Sequence, residues 1–414
     1  MYLRAKWIVP IPAPPIEDGW IQIEDGVIVA LGQGPLDEAA RDLGDSALFP
    51  GLINGHAHLE FDQADHPKHS FAAWAASVQE SAPAADVWQR NVQRMLETGT
   101  TTVVNHFNGG IAAPFAAANE GPIPPNPSCS AEVNPASHAS SWQDPALRII
   151  QICEFIGSNA ELGAESYRDA CAQRLELLES KQVDGAVVSP HSLYAVSPIV
   201  WDEFIQHRTA TDLISLHLLE SAEEEELFRK GKGPLARLVK ERGGLLWQHD
   251  PIGWLKEKKL LRPGTLLIHA NYLTDDDWAL LPGTGTGVIH CPGSHAYFGH
   301  RRFPVTDVLD RGIPVGLGTD SRASNEDVSM LRELSLLHES HPELTAEQVI
   351  HLATLSGARA IGLDKTRGSL EPDKDADLIV VPLGSEESPY EALLKAEQVS
   401  ASFIRGKEVI SHGL

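Results

Sequence analysis

The segment PGLINGHAHLEF, residues 50 to 61, sets His56 and His58 one residue apart at the end of an apolar run. In a β-strand, residues i and i+2 point to the same side, so both imidazoles can reach one metal ion. With 18 histidines in 414 residues, about one His-x-His pair is expected by chance, and the pair alone decides nothing. The rest of the chain supplies more of the same chemistry. His106, His191, His217, His269, His290 and Asp320 each close a further short apolar run. A third imidazole from His217 and the carboxylate of Asp320 would complete a nitrogen and oxygen donor set that suits Zn²⁺ and permits Fe²⁺, with water in an open position.

Positioning so many polar groups at one place requires a particular set of elements. Between residues 47 and 320 lie eight β-branched, apolar runs, ALFPGLINGH, GTTTVVNHF, LRIIQICEF, VDGAVVSPH, DLISLH, TLLIH, TGVIH and IPVGLGTD. Helical patterns such as ADVWQRNVQRMLETG, ESYRDACAQRLELLESK and SNEDVSMLRELSLLHES separate them. Continuous apolar runs are strands buried on both faces, as in a helix-covered parallel sheet. Eight strand-helix units predict a (β/α)8 TIM-like barrel, an α/β fold whose chemistry sits at the C-terminal ends of the strands, where these histidines fall. The chain ends read differently. WIQIEDGVIVALGQG is a hairpin with an Asp-Gly turn, and GSLEPDKDADLIVVPL and AEQVSASFIRGKEVI are strand-rich. We expect residues 1–49 and 366–414 to build one small β-sandwich-like domain from both chain ends, and residues 50–365 to form the barrel. The stretch from about 109 to 145, rich in Pro, Ala, Ser and Asn, reads as a long loop after the second barrel strand.

Composition narrows the function classes. A formal net charge of −24 repels phosphate backbones and anionic membranes, so neither nucleic acid nor a membrane is an expected partner. No run approaches the ~20 apolar residues of a spanning helix, and MYLRAKWIVPIPAPP does not read as a signal peptide. The four cysteines, Cys129, Cys153, Cys171 and Cys291, form no C-x-x-C pair, and a cytoplasmic location is expected.

Taken together, PGLINGHAHLEF, GTTTVV, SPHSLYAVSP, LHLLESAEE, LIHANYL, HCPGSH, GLGTDS and ATLSGARAIGL with GSLEPDKDADLIVV resemble the amidohydrolase superfamily. The likeness is to its cytosine-deaminase-like and chlorohydrolase-like branch, which includes deaminases of adenosine derivatives and of aminodeoxyfutalosine, and it covers nearly the whole chain. It implies a metal-dependent hydrolase with His56, His58, His217 and Asp320 as ligands, His269 beside the metal-bound water, and Glu220 in proton transfer. The fourth strand run ends VVSPHS without the bridging lysine of binuclear relatives, so one divalent ion, Zn²⁺ first, is expected. The implied reaction is attack of a metal-bound hydroxide on an aminated heterocycle with loss of ammonia. A 6-aminopurine nucleoside derivative is the expected substrate, of the aminodeoxyfutalosine, 5′-methylthioadenosine or S-adenosylhomocysteine type. Guanine or aminopyrimidine deamination, triazine dechlorination, cyclic-amide hydrolysis and a catalytically silent assembly role are the alternatives.

Two residues depart from the family pattern, His295 where asparagine is common and Asp373 where glycine is. His191 and His295 are candidate substrate contacts, and Arg301 or Arg302 could face an anionic substrate group. Glu60 is read as a structural or substrate-side residue, since the His-x-Glu design of another zinc deaminase class needs a Pro-Cys-x-x-Cys that CPGS does not provide. The acidic run AEEEEL reads as an exposed helix start, and Trp88, Trp201 and Trp278 as packing residues. A homo-oligomer is compatible with all of this.

Overall fold

The computed structural model describes residues 1–36, 38–63, 70–79, 86–108, 147–209, 211–247 and 249–412. The long loop expected at 109–145 lies outside the described residues. Two parallel sheets form the middle of the chain. One joins Leu52–His58, Thr100–Asn108, Arg148–Phe155 and Gly185–Pro190, with the two-residue strand Asp320–Ser321 on the outer edge of Leu52–His58. The other joins Ile214–Leu218, Thr265–His269, Gly287–His290 and Val315–Leu317. These strands are the predicted runs, and both of their faces are covered. Ile53, Val104, Ile152, Leu266, Ile268 and Ile289 pack into an inner apolar cluster, while Leu52, Val103, Cys153, Leu216, Leu267 and Val288 face an outer layer shared with the helices. Burial on both sides is why the runs are apolar without alternation.

Contacts also join the two sheets. A parallel bridge pairs Ser192 with His217. The eighth run, read as one strand, is two: Val315–Leu317 pairs with Gly287–His290, and after a step at Gly318 and Thr319 the chain pairs Asp320 and Ser321 with Ala57 and His58. The step is held by Gly318 donating its N–H to the His290 carbonyl (2.9 Å) and Thr319 to that of His56 (3.0 Å).

The first run is also two strands. Ser46–Pro50 belongs to a separate eight-stranded sheet, where it runs antiparallel to Leu378–Pro382, and Leu52–His58 belongs to the parallel one. Gly51 sits at the break, its N–H bonded to the Asp377 carbonyl (2.9 Å), with so little room that a Cβ there would lie 2.0 Å from Thr101 Oγ1. The eight-stranded sheet takes five strands from residues 2–50 and three from residues 378–411, so both chain ends do meet in it. Its Asp25-Gly26 hairpin turn has φ of 49° and 81°, the left-handed pair that a tight two-residue turn demands.

The three helical patterns fold as Val87–Glu97, Ala160–Ser180 and Met330–Ser340, the last two started by Asn159 and Ser329 accepting from the backbone N–H three residues on. Trp88, Trp201 and Trp278 are buried, as expected of packing residues. Among the described residues no helix is long and apolar enough to cross a membrane.

Candidate active site

The C-terminal ends of the parallel strands bring four of the expected residues together. His56 Nε2 lies 3.4 Å and His58 Nε2 3.9 Å from Asp320 Oδ1, and the His56 and His217 rings are 4.7 Å apart between centroids. His56, His58 and Asp320 offer ligand atoms within 4.8 Å of one another, as do His56, His217 and His269, and Glu220, His269 and Asp320. All of these side chains are buried.

The carboxylates around this cluster draw positive charge toward it. His56 Nε2 is buried with no hydrogen-bond partner. Burial pushes His56 down to about 4, keeping it neutral. Burial also works against a proton on His58, but Glu60, Glu154 and Asp320 outweigh it and raise the group to about 9. Burial alone would raise Asp320, yet His56, His269 and His58 hold it well below the ordinary carboxylate range. Neutral imidazole, an unpartnered buried nitrogen and an ionised carboxylate in one place fit a divalent ion with nitrogen and oxygen donors.

Several residues that the sequence reading did not assign hold this arrangement. His106 Nδ1 is 2.9 Å from His56 Nδ1, and His106 Nε2 is 2.6 Å from Ser215 Oγ. With the His56 Nδ1–H donating to His106, the Nε2 lone pair of His56 is left free, the tautomer a metal requires. Asn54 Oδ1 accepts from the Thr319 N–H (3.1 Å) and its Nδ2 donates to Thr319 Oγ1 (2.7 Å), clipping the strand that carries His56 to the step that carries Asp320. Ser324 Oγ donates to Asp320 Oδ2 at 2.6 Å. His269 and Asp320 have positive φ, 66° and 58°, a costly conformation for residues other than glycine and one found where surroundings fix a functional geometry.

Glu220 stands with its Oε1 3.7 Å from His269 Nε2, which is in turn 4.0 Å from Asp320 Oδ2. Burial first, and then the negative charges of Asp320 and Glu224, push its pKa well above the usual carboxylate value, the state of a proton donor. Burial takes His269 down to about 3. Here the acidic run AEEEEL departs from the expected exposed helix start. Glu224 is buried and turns back, Oε1 accepting from the Leu219 N–H and Oε2 from the Glu220 N–H, both at 2.9 Å. Glu223 accepts from the N–H groups of Phe71 and Ala72 at the start of another helix. Spacing within the run gave no sign of either partner.

His58, Glu60, Glu154, His191, Tyr194, His217, Glu220, His269 and Asp320 line one cavity of about 740 Å³, walled further out by Phe71, Trp74, Leu162, Leu235 and Arg242. His191 stacks on His217, centroids 4.3 Å apart and planes 9° from parallel. Two parallel rings cannot both hold one ion in their planes, so His191 is a wall residue and not a co-ligand of His217. His295 is not among the described residues lining the cavity; its Nδ1 meets Asn271 Oδ1 at 3.1 Å, and Asn271 Nδ2 bonds the Glu220 carbonyl at 3.0 Å. Arg301 and Arg302 also point elsewhere, Arg301 to the Asn271 and Leu273 carbonyls and Arg302 to Glu343.

A family model matches residues 47–409, that of the Amidohydrolase family. The chain belongs to this family. Its metal dependence agrees with the donor set above. The 5-methylthioadenosine/S-adenosylhomocysteine deaminase of Haloarcula marismortui is 27% identical over 398 residues, covering 88% of this chain and 80% of that protein. Aminofutalosine deaminase of Helicobacter pylori, solved in complex with methylthio-coformycin, superposes with a TM-score of 0.80 at 22% identity, over 99% of this chain and 100% of that one. An adenosine deaminase from Xanthomonas campestris with bound zinc gives 0.74 at 23%, over 99% and 92%. These two structures share the fold of this amidohydrolase.

Proposed function

We propose that this amidohydrolase is a hydrolytic deaminase of a 6-aminopurine nucleoside derivative, taking up water and releasing ammonia. The observation that carries the reading is the approach of Glu220 to His269 and of His269 to Asp320 on the cavity wall beside the His56, His58 and Asp320 cluster. The names of the relatives supply the substrate class. His56, His58, His217 and Asp320 would hold one divalent ion, zinc in the first place. When bound, the ion supplies Lewis acidity that makes water a nucleophile at neutral pH.

The chain's own groups do the proton work. Glu220 donates its proton to the ring nitrogen beside the attacked carbon, N1 of the purine, so that electrons can move onto that nitrogen as water adds at C6. Asp320, with His269 beside it, takes the proton that the attacking water loses. Glu220, reprotonated by the hydroxyl added at C6, passes that proton to the departing amine, which leaves as ammonia as the C6–N bond breaks and the C6 carbonyl forms. The proton held by Asp320 then restores Glu220. His191 contacts the substrate from the cavity wall. In this reading the two parallel sheets are one closed eight-stranded barrel spanning residues 50–365, and residues 1–49 and 366–414 are the two parts of the small domain. The enzyme is cytoplasmic, and its partner is a small molecule.

Ammonia release from a panel of adenosine derivatives, guanine, cytosine and melamine tests the assignment. The kcat/KM for an adenosine derivative should exceed the others by at least ~100-fold, within what hydrogen-bonding sites achieve. Preference for a free base or a triazine would overturn it. Elemental analysis should give close to one metal per chain, lost in a His56→Ala, His58→Ala double variant.

A further inference from the structure

The deamination chemistry leaves two buried carboxylates of the cavity wall without a task. Glu60 follows the strand Leu52–His58 by two residues, and Glu154 lies near the end of Arg148–Phe155. Their exposures are 3% and 2%, and both line the cavity. Glu60 Oε2 and Glu154 Oε1 are buried with no hydrogen-bond partner. Each residue has a histidine nearby, Glu60 Oε1 at 3.7 Å from His58 Nδ1 and Glu154 Oε1 at 3.5 Å from His217 Nδ1, distances too long for good hydrogen bonds. Acceptors buried in this way are costly unless something donates to them.

The choice of donor is narrow. An anionic group is repelled by two carboxylates. A cation shared by Glu154, His191 and His217 fails on the parallel stacking of the two rings. Neutral donors remain, and two acceptors on the wall of one cavity can each take a hydroxyl of a vicinal pair. We propose that Glu60 and Glu154 form a hydroxyl-recognition subsite, their carboxylates accepting hydrogen bonds from the vicinal hydroxyls of the substrate's sugar. The proposal rests on the nucleoside-deaminase reading and adds to it the residues that tell a riboside from a deoxyriboside.

The test compares adenosine with 2′,3′-dideoxyadenosine on the metal-replete wild type and on Glu60→Ala and Glu154→Ala, with metal content measured in each. A hydrogen bond to a charged group corresponds to about a 10- to 100-fold effect. Wild type should therefore lose at least ~10-fold in kcat/KM on the dideoxynucleoside, mainly through KM. Each variant should lose a similar factor on adenosine and little on the dideoxy compound. Equal use of both nucleosides by the wild type would overturn the subsite even if a variant fails to fold. So would variants that lose the same factor on both substrates, the mark of a residue that only positions His58 or His217. Release of ammonia from free bases but from neither nucleoside would instead defeat the nucleoside reading, and this subsite with it.

Discussion

At the scale of single residues, the site separates groups that work on the substrate from groups that prepare them. Glu220 is the proton donor of the proposed mechanism, and Glu220→Gln keeps the shape while removing the transferable proton. Its kcat should fall at least ~100-fold with metal content unchanged, the two read together by steady-state kinetics and elemental analysis. His106 does not itself line the cavity, yet its 2.9 Å contact fixes the tautomer of His56. Losing such a partner typically costs 10- to 100-fold in metal affinity, so His106→Ala should release metal to a chelator at about 10-fold lower concentration. Unchanged metal retention would show that His56 needs no support. Both roles depend on atoms facing each other across strands, information that a histidine ending an apolar run carries only in outline.

Elements matter here through how closely they approach. The His56 strand and the step before Asp320 pack so tightly that a Cβ on Gly318 would sit 2.9 Å from His56 Cβ, N and O. No flexible side-chain end is available to give way, because two of those three atoms are backbone. Gly318→Ala should therefore push the His56 strand from Asp320, and metal content should drop well below one per chain although the variant folds. Retention of full metal and activity would show that the strands can part without loss. The split of the eighth run follows from the same packing, since a straight strand pairing with Gly287–His290 would carry Asp320 past Ala57.

For the whole molecule, a buried ion network ties the parallel sheets to the sheet of the chain ends. Arg148 Nε bonds Asp184 Oδ2 at 2.6 Å, and Arg148 Nη1 reaches Asp375 at 2.6 Å and Asp377 at 3.1 Å. Arg367 joins by pairing with Asp184 and Asp375. Arg148 and Arg367 are 4% and 6% exposed, so removing Arg367 leaves Asp184, Asp375 and Asp377 to share Arg148 with one cation fewer, which costs about 3 kcal/mol. Arg367→Ala should lower the thermal midpoint while leaving kcat of the folded enzyme nearly intact. Burial works to raise Asp184, but Arg367 and Arg148 outweigh it and hold its pKa below 3.8. A carboxylate depressed in the folded state stabilises fully above its unfolded value, and the contribution disappears as pH falls from about 3.8 through the lower folded value. Denaturant midpoints should fall more steeply below pH 4 in wild type than in Arg367→Ala. Parallel curves would remove the network from the stability of the fold.

Strand runs, their burial on both faces, the clustering of histidines at their C-terminal ends and the pairing of the two chain ends in one sheet were all legible in the sequence. Apolar periodicity is local, and a strand end reads as a place where apolar residues stop. The proposed donor set, His56, His58, His217 and Asp320, came from that one-dimensional pattern joined to a family resemblance. Tertiary structure alone decided the rest. Glu224 left its exposed run to hold the Glu220 backbone, Arg301 and Arg302 turned to carbonyls and Glu343, and His295 bonded Asn271 outside the cavity lining. Glu60 and Glu154 became wall residues with unpartnered oxygens. A polar side chain's partner is whatever donor or acceptor the fold brings within about 3 Å, and here those partners are often 40 to 265 residues away along the chain.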